Sequence, residues 1–263
     1  MNKDKIIVAL DVAAADEARQ IIADLRGEVG AFKIGLQLFT AAGASFVRET
    51  VESGIKVFLD LKFHDIPNTA ARASVEAARL GVWMFNVHAL GGAEMMRATM
   101  ENVREVCERE NLVPPKIIGV TVLTSANRET LREIGIAAEP DEQVLRLAQL
   151  AAKCGLHGVV ASPHEAEMIR AHVGEKDFLI VTPGIRSDAE TWGRGDAEKE
   201  NEGRRTKDEG RSKLETSDDQ KRVMSAKEAI GAGANYLVIG RPILQSADRV
   251  SAVRKIIWEI ETA

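Results

Sequence analysis

The stretch KVFLDLKFHDIPNTAARASVEAARLG, residues 56–81, reads as one complete strand–helix unit. Lys56–Lys62 is a short run whose middle is apolar on both faces of the pleat. That pattern predicts a parallel strand buried on both sides. Pro67 suits a first helical turn, where its missing N–H loses no partner. The predicted helix then runs to Gly81, a natural stop.

The same unit recurs along the chain. Lys5–Asp11, Ala31–Leu36, Trp83–Ala89, Lys116–Leu123, His157–Ser162, Phe178–Pro183 and Asn235–Arg241 are the other seven candidate strands. Helix signals stand between them. Ser162-Pro163-His164-Glu165 and Ser225-Ala226-Lys227-Glu228 both read as capping boxes. Ala247–Glu261 carries Val250, Val253, Ile256, Ile257 and Ile260 at helical spacing. Eight alternations predict a single (β/α)₈ barrel over residues 1–263. A doubly wound open sheet is the competing fold. It usually shows a glycine-rich turn after its first strand, and DVAAADEA at 11–18 has none.

Composition narrows the function. The chain has 263 residues, 45% of them apolar, and a net charge of −5. Barrels of this kind use about 250 residues as one domain. Mild acidity argues against a nucleic-acid partner. No apolar run reaches the roughly 18 residues of a membrane span. The N-terminal apolar run is interrupted by Asp11 too soon for a signal peptide, so a cytoplasmic location is expected. Cys107 and Cys154 form neither a disulfide framework nor a zinc pattern and read as inert core thiols.

Residues 187–219 break the rhythm. These 33 residues hold 7 Lys/Arg and 11 Asp/Glu but only four apolar residues, Ala189, Trp192, Ala197 and Leu214. They cannot order themselves by forming a core. The stretch is expected to be a hydrophilic insertion after the seventh strand, either a solvated excursion or a lid over the working face.

In a barrel, chemistry belongs at the C-terminal strand ends. Those ends carry Asp11, Lys33, Asp60 with Lys62, His88, Thr124 with Ser125, Ser162, Arg186, and Gly240 with Arg241. Charges inside apolar strands are costly unless paired. Asp60 and Lys62, two apart, are expected on one face. Lys33 on the neighbouring strand is expected within reach of Asp60, and Asp65 follows in the loop. The result would be an alternating Lys33–Asp60–Lys62–Asp65 array, serving as a site or merely as an ion network plugging the barrel mouth. His88 reads as a satisfied or supporting histidine, since no partner stands at metal-ligand spacing. His64 reads as a local loop contact. Gly240 and Arg241 suit a phosphate: glycine admits close backbone approach and arginine gives a charged fork. The following helix N-terminus would add amide donors.

The run Asp60-Leu61-Lys62-Phe63-His64-Asp65-Ile66-Pro67-Asn68-Thr69 resembles the signature of the orotidine 5′-phosphate decarboxylase family, bacterial type. Further family-like motifs follow in family order. They are Ala9-Leu10-Asp11, Phe32-Lys33-Ile34-Gly35, Leu123-Thr124-Ser125, Val181-Thr182-Pro183-Gly184-Ile185-Arg186, Asp219-Gln220-Lys221-Arg222 and Ile239-Gly240-Arg241-Pro242. The resemblance covers nearly the whole chain except the charged insertion. It implies a homodimeric barrel that converts orotidine 5′-monophosphate to uridine 5′-monophosphate and carbon dioxide without metal or organic cofactor. It implies Lys62 as proton donor to C6 of the pyrimidine and Asp60 beside the departing carboxylate. Asp65 would act in the partner subunit's site. Lys33 would hold Asp60 and a ribose hydroxyl, and Asp11 would bind the ribose. Thr124 or Ser125 would meet the pyrimidine amide edge. Arg186, Gln220 and Arg241 would serve the phosphate, with Gln220 bridging towards the base. Thr69, Pro183 and Gly240 complete the implied substrate contacts.

Two rivals share parts of this pattern. Magnesium-dependent sugar-phosphate decarboxylases or aldolases resemble the Asp-x-Lys-x-x-Asp core, but place an acidic metal ligand where this chain has Lys33, and a cation there repels Mg²⁺. A non-catalytic nucleotide-binding barrel is the other, with the long insertion as its only motive. The family usually has a loop of roughly ten residues at that place, within common loop lengths. The insertion is expected to project outward and leave Arg186 and Gln220 near the phosphate. Replacing Ala189–Thr216 by a short bridge should keep turnover within about tenfold, or about 1.4 kcal/mol. Loss of several orders of magnitude in a folded variant would sink this expectation.

Overall fold

The structure, a computed structural model, describes residues 2–174, 177–186 and 224–262. The insertion expected at 187–219 and the candidate Gln220 lie outside the described residues. Eight parallel strands close into a barrel in the order β1-β10-β7-β6-β5-β4-β3-β2. They are β1 (Ile6–Ala9), β2 (Ala31–Gly35), β3 (Val57–Phe63), β4 (Met84–His88), β5 (Lys116–Val120), β6 (Gly158–Val160), β7 (Leu179–Thr182) and β10 (Tyr236–Ile239). Because β1 pairs with both β2 and β10, no edge is left and the open-sheet alternative falls.

Helices follow the strands: α1 (Ala15–Leu25), α2 (Leu36–Glu52), α3 (Pro67–Arg79), α4 (Gly92–Glu110), α5 (Arg128–Glu133), α6 (Pro140–Lys153) and α7 (Ala166–His172). Ala226–Gly231, Arg241–Leu244 and Arg249–Glu261 complete the set. The strands are shorter than their apolar runs. β1 stops at Ala9 rather than Asp11, and β5 stops at Val120 rather than Leu123. Leu36 opens α2 instead of ending β2, and Arg241 opens a helical turn instead of ending β10. Apolar content alone does not mark where ladder pairing stops.

Alternation along the strands builds two apolar layers. Ile7, Ala9, Ala31, Phe58, Met84, Ile118, Val181 and Val238 form one cluster, the barrel filling. Their strand neighbours, such as Ile6, Val8, Phe32, Leu59, Phe85 and Ile180, belong to a second cluster that packs under the helices. Both faces of each strand are therefore dry, which explains the continuous apolar runs. Local signals hold the helices in register. Pro67 starts α3, and Gly81 after its end has a φ of 74°. The Ser225 N–H donates to Glu228 at 3.1 Å, and the Glu228 N–H donates back to the Ser225 hydroxyl at 3.3 Å. The C-terminal helix buries Val253, Ile256 and Ile260 and ties to α1 through Arg249 and Asp24 at 2.8 Å. Cys107 and Cys154 are buried, and burial pushes both thiols up, away from reactivity.

One element was not legible beforehand. β8 (Ile185–Arg186) and β9 (Met224–Ser225) pair in parallel outside the barrel, with Arg186 opposite Ser225. The two residues flanking the undescribed segment are thus held close to each other. Among the described residues, no helix is long and apolar enough to cross a membrane.

Candidate active site

Inward-facing positions change character towards the C-terminal mouth. Two residues beyond Ala31 is Lys33; two beyond Phe58 is Asp60; two beyond Met84 is Asn86. The same pleat that fills the barrel with apolar groups below places polar ones on top. Lys33 Nζ lies 3.1 Å from Asp11 Oδ1 and 3.4 Å from Asp60 Oδ2. Lys62 Nζ lies 2.7 Å from Asp60 Oδ1. The array is therefore Asp11–Lys33–Asp60–Lys62. Its centre is nearly dry: the Lys33 and Asp60 side chains are 11% and 13% exposed, against 58% and 32% for Asp11 and Lys62 at the ends. Two glycines leave room for it. A Cβ at Gly35 would lie 3.0 Å from Lys33 Nζ, and one at Gly240 would lie 3.3 Å from Asp11 Oδ2.

Asp60 and Lys62 meet, but not through simple alternation. Lys62 has a φ of 51°, in the left-handed region. Leu59 pairs with Phe85 and Phe63 with Val87, so four steps along β3 span two along β4. This is a bulge, which re-aims a side chain at the cost of ladder bonds. The displaced Lys62 N–H donates to Asn86 Oδ1 at 2.8 Å. Asn86 Nδ2 donates to Asp60 Oδ1 at 2.7 Å. Asn86, 1% exposed, escaped the sequence reading. A signal was available: it is a lone amide inside the apolar run of β4.

The charges support one another. Burial works against the charge on Lys33, but Asp60 and Asp11 outweigh it and hold the ammonium above its usual range. Burial likewise works against Asp60. Lys33 and Lys62, with hydrogen bonds from Lys62 and Asn86, hold its carboxyl below the usual carboxylate range. At the centre of the mouth, Lys33 and Asp60 thus each favour the charged form of the other.

The other candidates are distributed around the rim. Asp65 does not join the array within a single chain. It is exposed, its Oδ1 accepts the Ile66 N–H at 2.7 Å, and among the described residues it makes no ion pair with Lys62. Thr69 is exposed in the first turn of α3, and Thr124 and Ser125 lie in a turn beyond β5. Pro183 and Arg186 follow β7 and are half-buried, and Arg241 is exposed. The amide donors expected after Gly240 are few. Pro242 has no N–H, and Ile243 and Leu244 both donate to the Gly240 carbonyl at 3.0 Å.

His64 stacks on His88 with ring centroids 5.3 Å apart. The His88 Nδ1 accepts the Leu90 N–H at 3.4 Å, so this histidine supports the loop, as expected. Burial, with the neighbouring His64 and Lys62, pushes its pKa down to about 4. Among the described residues no three His, Cys, Asp or Glu side chains gather as a metal-holding group.

Comparison with known proteins identifies the family. The model of the "Orotidine 5'-phosphate decarboxylase / HUMPS family" matches residues 4–214 and 195–256, the two matches overlapping inside the charged stretch. The chain is 48% identical over 262 residues to an orotidine 5′-phosphate decarboxylase of Syntrophotalea carbinolica, covering 99% of this chain and 96% of that protein. It is 48% identical over 260 residues to that of Moorella thermoacetica, covering 98% and 93%. The crystal structure of orotidine 5′-phosphate decarboxylase from Lactobacillus acidophilus superposes with a TM-score of 0.77 at 32% identity, covering 97% of this chain and 98% of that one.

The depressed His88 pKa has a measurable consequence. Its folded value of about 4 lies below the ordinary 6.5. Between these values the unfolded chain binds a proton that the fold refuses, so stability falls as pH drops through that window. His88→Gln removes this effect. Between about pH 7 and pH 4.5 the variant should lose less unfolding free energy than the parent in denaturant titrations. Equal losses would show that His88 titrates normally.

Proposed function

The chain belongs to the orotidine 5′-phosphate decarboxylase / HUMPS family, and from that premise we propose the following reading. The protein decarboxylates orotidine 5′-monophosphate to uridine 5′-monophosphate in pyrimidine nucleotide biosynthesis, using only its own side chains. The observation that carries it is the Asp11–Lys33–Asp60–Lys62 array at the barrel mouth.

The C6–carboxylate bond breaks, carbon dioxide leaves and the electron pair stays on C6. The pyrimidine offers no ordinary electron sink, so the developing charge needs a fixed cation. Lys62, held by Asp60 at 2.7 Å, supplies it and then transfers a proton to C6. This interaction strengthens as the charge develops, which is what lowers a barrier. The Lys62 amine regains its proton from water. Asp60 faces the substrate carboxylate. At about 3 Å and an effective dielectric near 20, their repulsion is roughly 5 kcal/mol. Fully relieved, that gives about 10⁴ in rate, so carbanion stabilisation carries the larger share.

Asp11 and Lys33 take the ribose hydroxyls, and Thr69 joins them from the neighbouring subunit or the rim. Thr124 or Ser125 takes the pyrimidine amide edge. Arg186, Gln220, Arg241 and the backbone at Pro183 and Gly240 hold the phosphate, with Arg241 as the main charge because its turn has few amides to give. Phosphate binding, remote from C6, drives closure and so appears in turnover. The sugar-phosphate reading is disfavoured by Lys33, whose ammonium fills the space between two carboxylates that a Mg²⁺ would need.

The chain is read as one barrel domain with a hydrophilic insertion at 187–219. It is read as a cytoplasmic homodimer in which Asp65 completes the partner's array. Two features support the dimer. Asp65 is exposed and makes no ion pair with its own Lys62 among the described residues, and Leu36, Ile66, Leu90 and Leu123 stand exposed just beyond β2, β3, β4 and β5.

Mixed with orotidine 5′-monophosphate in excess chelator, the protein should consume it rapidly. Lys62→Ala should lower turnover by at least about 10³-fold while still binding uridine 5′-monophosphate. Unchanged turnover would contradict the assigned donor. Co-expressed Lys62→Ala and Asp65→Ala chains should form heterodimers with one intact site and recover activity that neither variant has alone. No recovery from a purified heterodimer would refute the shared site.

A further inference from the structure

Asn86 does two things at once. Its carbonyl accepts the Lys62 N–H that the β3 bulge has removed from the sheet ladder, and its amide donates to the Asp60 oxygen that Lys62 also grips. A carboxamide is neutral and carries its acceptor and its donor on separate atoms, so the two partners can be served at once from different directions. A carboxylate keeps the acceptor and loses the donor; leucine, of similar size, keeps neither. The residue stands between Phe85 and Val87, the two β4 residues that pair with β3 on either side of the bulge. The buried amide thus occupies the gap the bulge opens.

We propose that Asn86 is a positioning residue for the decarboxylation. It holds the Lys62 backbone in its left-handed conformation and orients the Asp60 carboxylate, so that the Lys62 ammonium is aimed at the reacting carbon. It touches no substrate atom and acts through Lys62 and Asp60. The inference rests on the decarboxylase reading.

Asn86→Ala should lower kcat by about 100-fold, the cost of a displacement near 1 Å at the reacting centre. Uridine 5′-monophosphate should still bind at one per chain, with affinity within about threefold, because its anchors at Asp11 and Arg241 are untouched. Asn86→Asp gives a signature that a packing role would not. The groups facing the introduced carboxyl are Asp60 directly, Lys62 and Lys33 around it, Asp11 beyond Lys33, and His88 with His64 beyond Lys62. Two carboxylates in contact cannot both ionise freely. Protonated, the new carboxyl donates to Asp60 as the amide does; ionised, it repels it. The variant's kcat should therefore fall as pH rises, through an ionisation that the parent lacks.

The parent chain is assayed first. If it leaves orotidine 5′-monophosphate unchanged, the decarboxylase reading fails and takes this role with it. If the parent is active, the proposal is overturned by an Asn86→Ala protein with kcat within about threefold of the parent. It is equally overturned if the lost rate is matched by lost uridine 5′-monophosphate sites. Should Asn86→Ala fail to fold, the Asn86→Asp profile decides: a profile parallel to the parent's overturns the proposal.

Discussion

Asp60 is a carboxylate in a nearly dry place, and the barrel mouth is arranged around keeping it charged. Lys33 reaches it from β2, Lys62 from its own strand and Asn86 from β4. Withdrawing one partner from such a buried pair typically costs about 3–5 kcal/mol, because the remaining charge is stranded. The four residues therefore stand or fall as a unit. The same mutual support that keeps the array charged in a low-dielectric pocket also holds the Lys62 ammonium fixed, as the proposed mechanism requires of a group that meets developing charge without reorganising.

The closed barrel supplies the geometry. Strand alternation sorts side chains into filling and covering layers, and the filling positions continue into Lys33, level with Phe58, and one step higher into Asp60, level with Gly35, with Asn86 two residues beyond Met84. Chemistry at this mouth is thus a continuation of the core, built on strands rather than on mobile loops. Thr124 and Ser125 lie in a turn beyond β5 and Arg186 in the short β8 outside the barrel; the recognition role proposed for them suits places where some adjustment is tolerable.

Much of this was legible in the sequence because it depends on local rules. Apolar runs buried on both faces, Pro67 at a helix start and the Ser225–Glu228 box each follow from their own residues, and eight repeats of the unit leave few folds. Charged residues at the ends of apolar runs marked Lys33, Asp60 and Lys62 for the same reason: unpaired, they would be too costly. What escaped was set by relations between strands. The bulge at Lys62 is a mismatch of register between β3 and β4, invisible in either strand alone. Asn86 became meaningful only once that mismatch needed a hydrogen-bond acceptor. Within one chain the array gains Asp11, brought in across β1 and β2, while the Asp65 carboxylate accepts the N–H of the next residue, Ile66.

The left-handed backbone at Lys62 sets fitness for work against fitness for folding. A residue with a Cβ gives up roughly 1–2 kcal/mol to sit there, and glycine gives up none. Glycine in place of Lys62 would relieve that strain but strand the Asp60 carboxylate, at about 3–5 kcal/mol the larger of the two terms. Lineages released from the need for the reaction should therefore shed Asp60 first or together with Lys62, because the strained lysine is held in place by the carboxylate it neutralises.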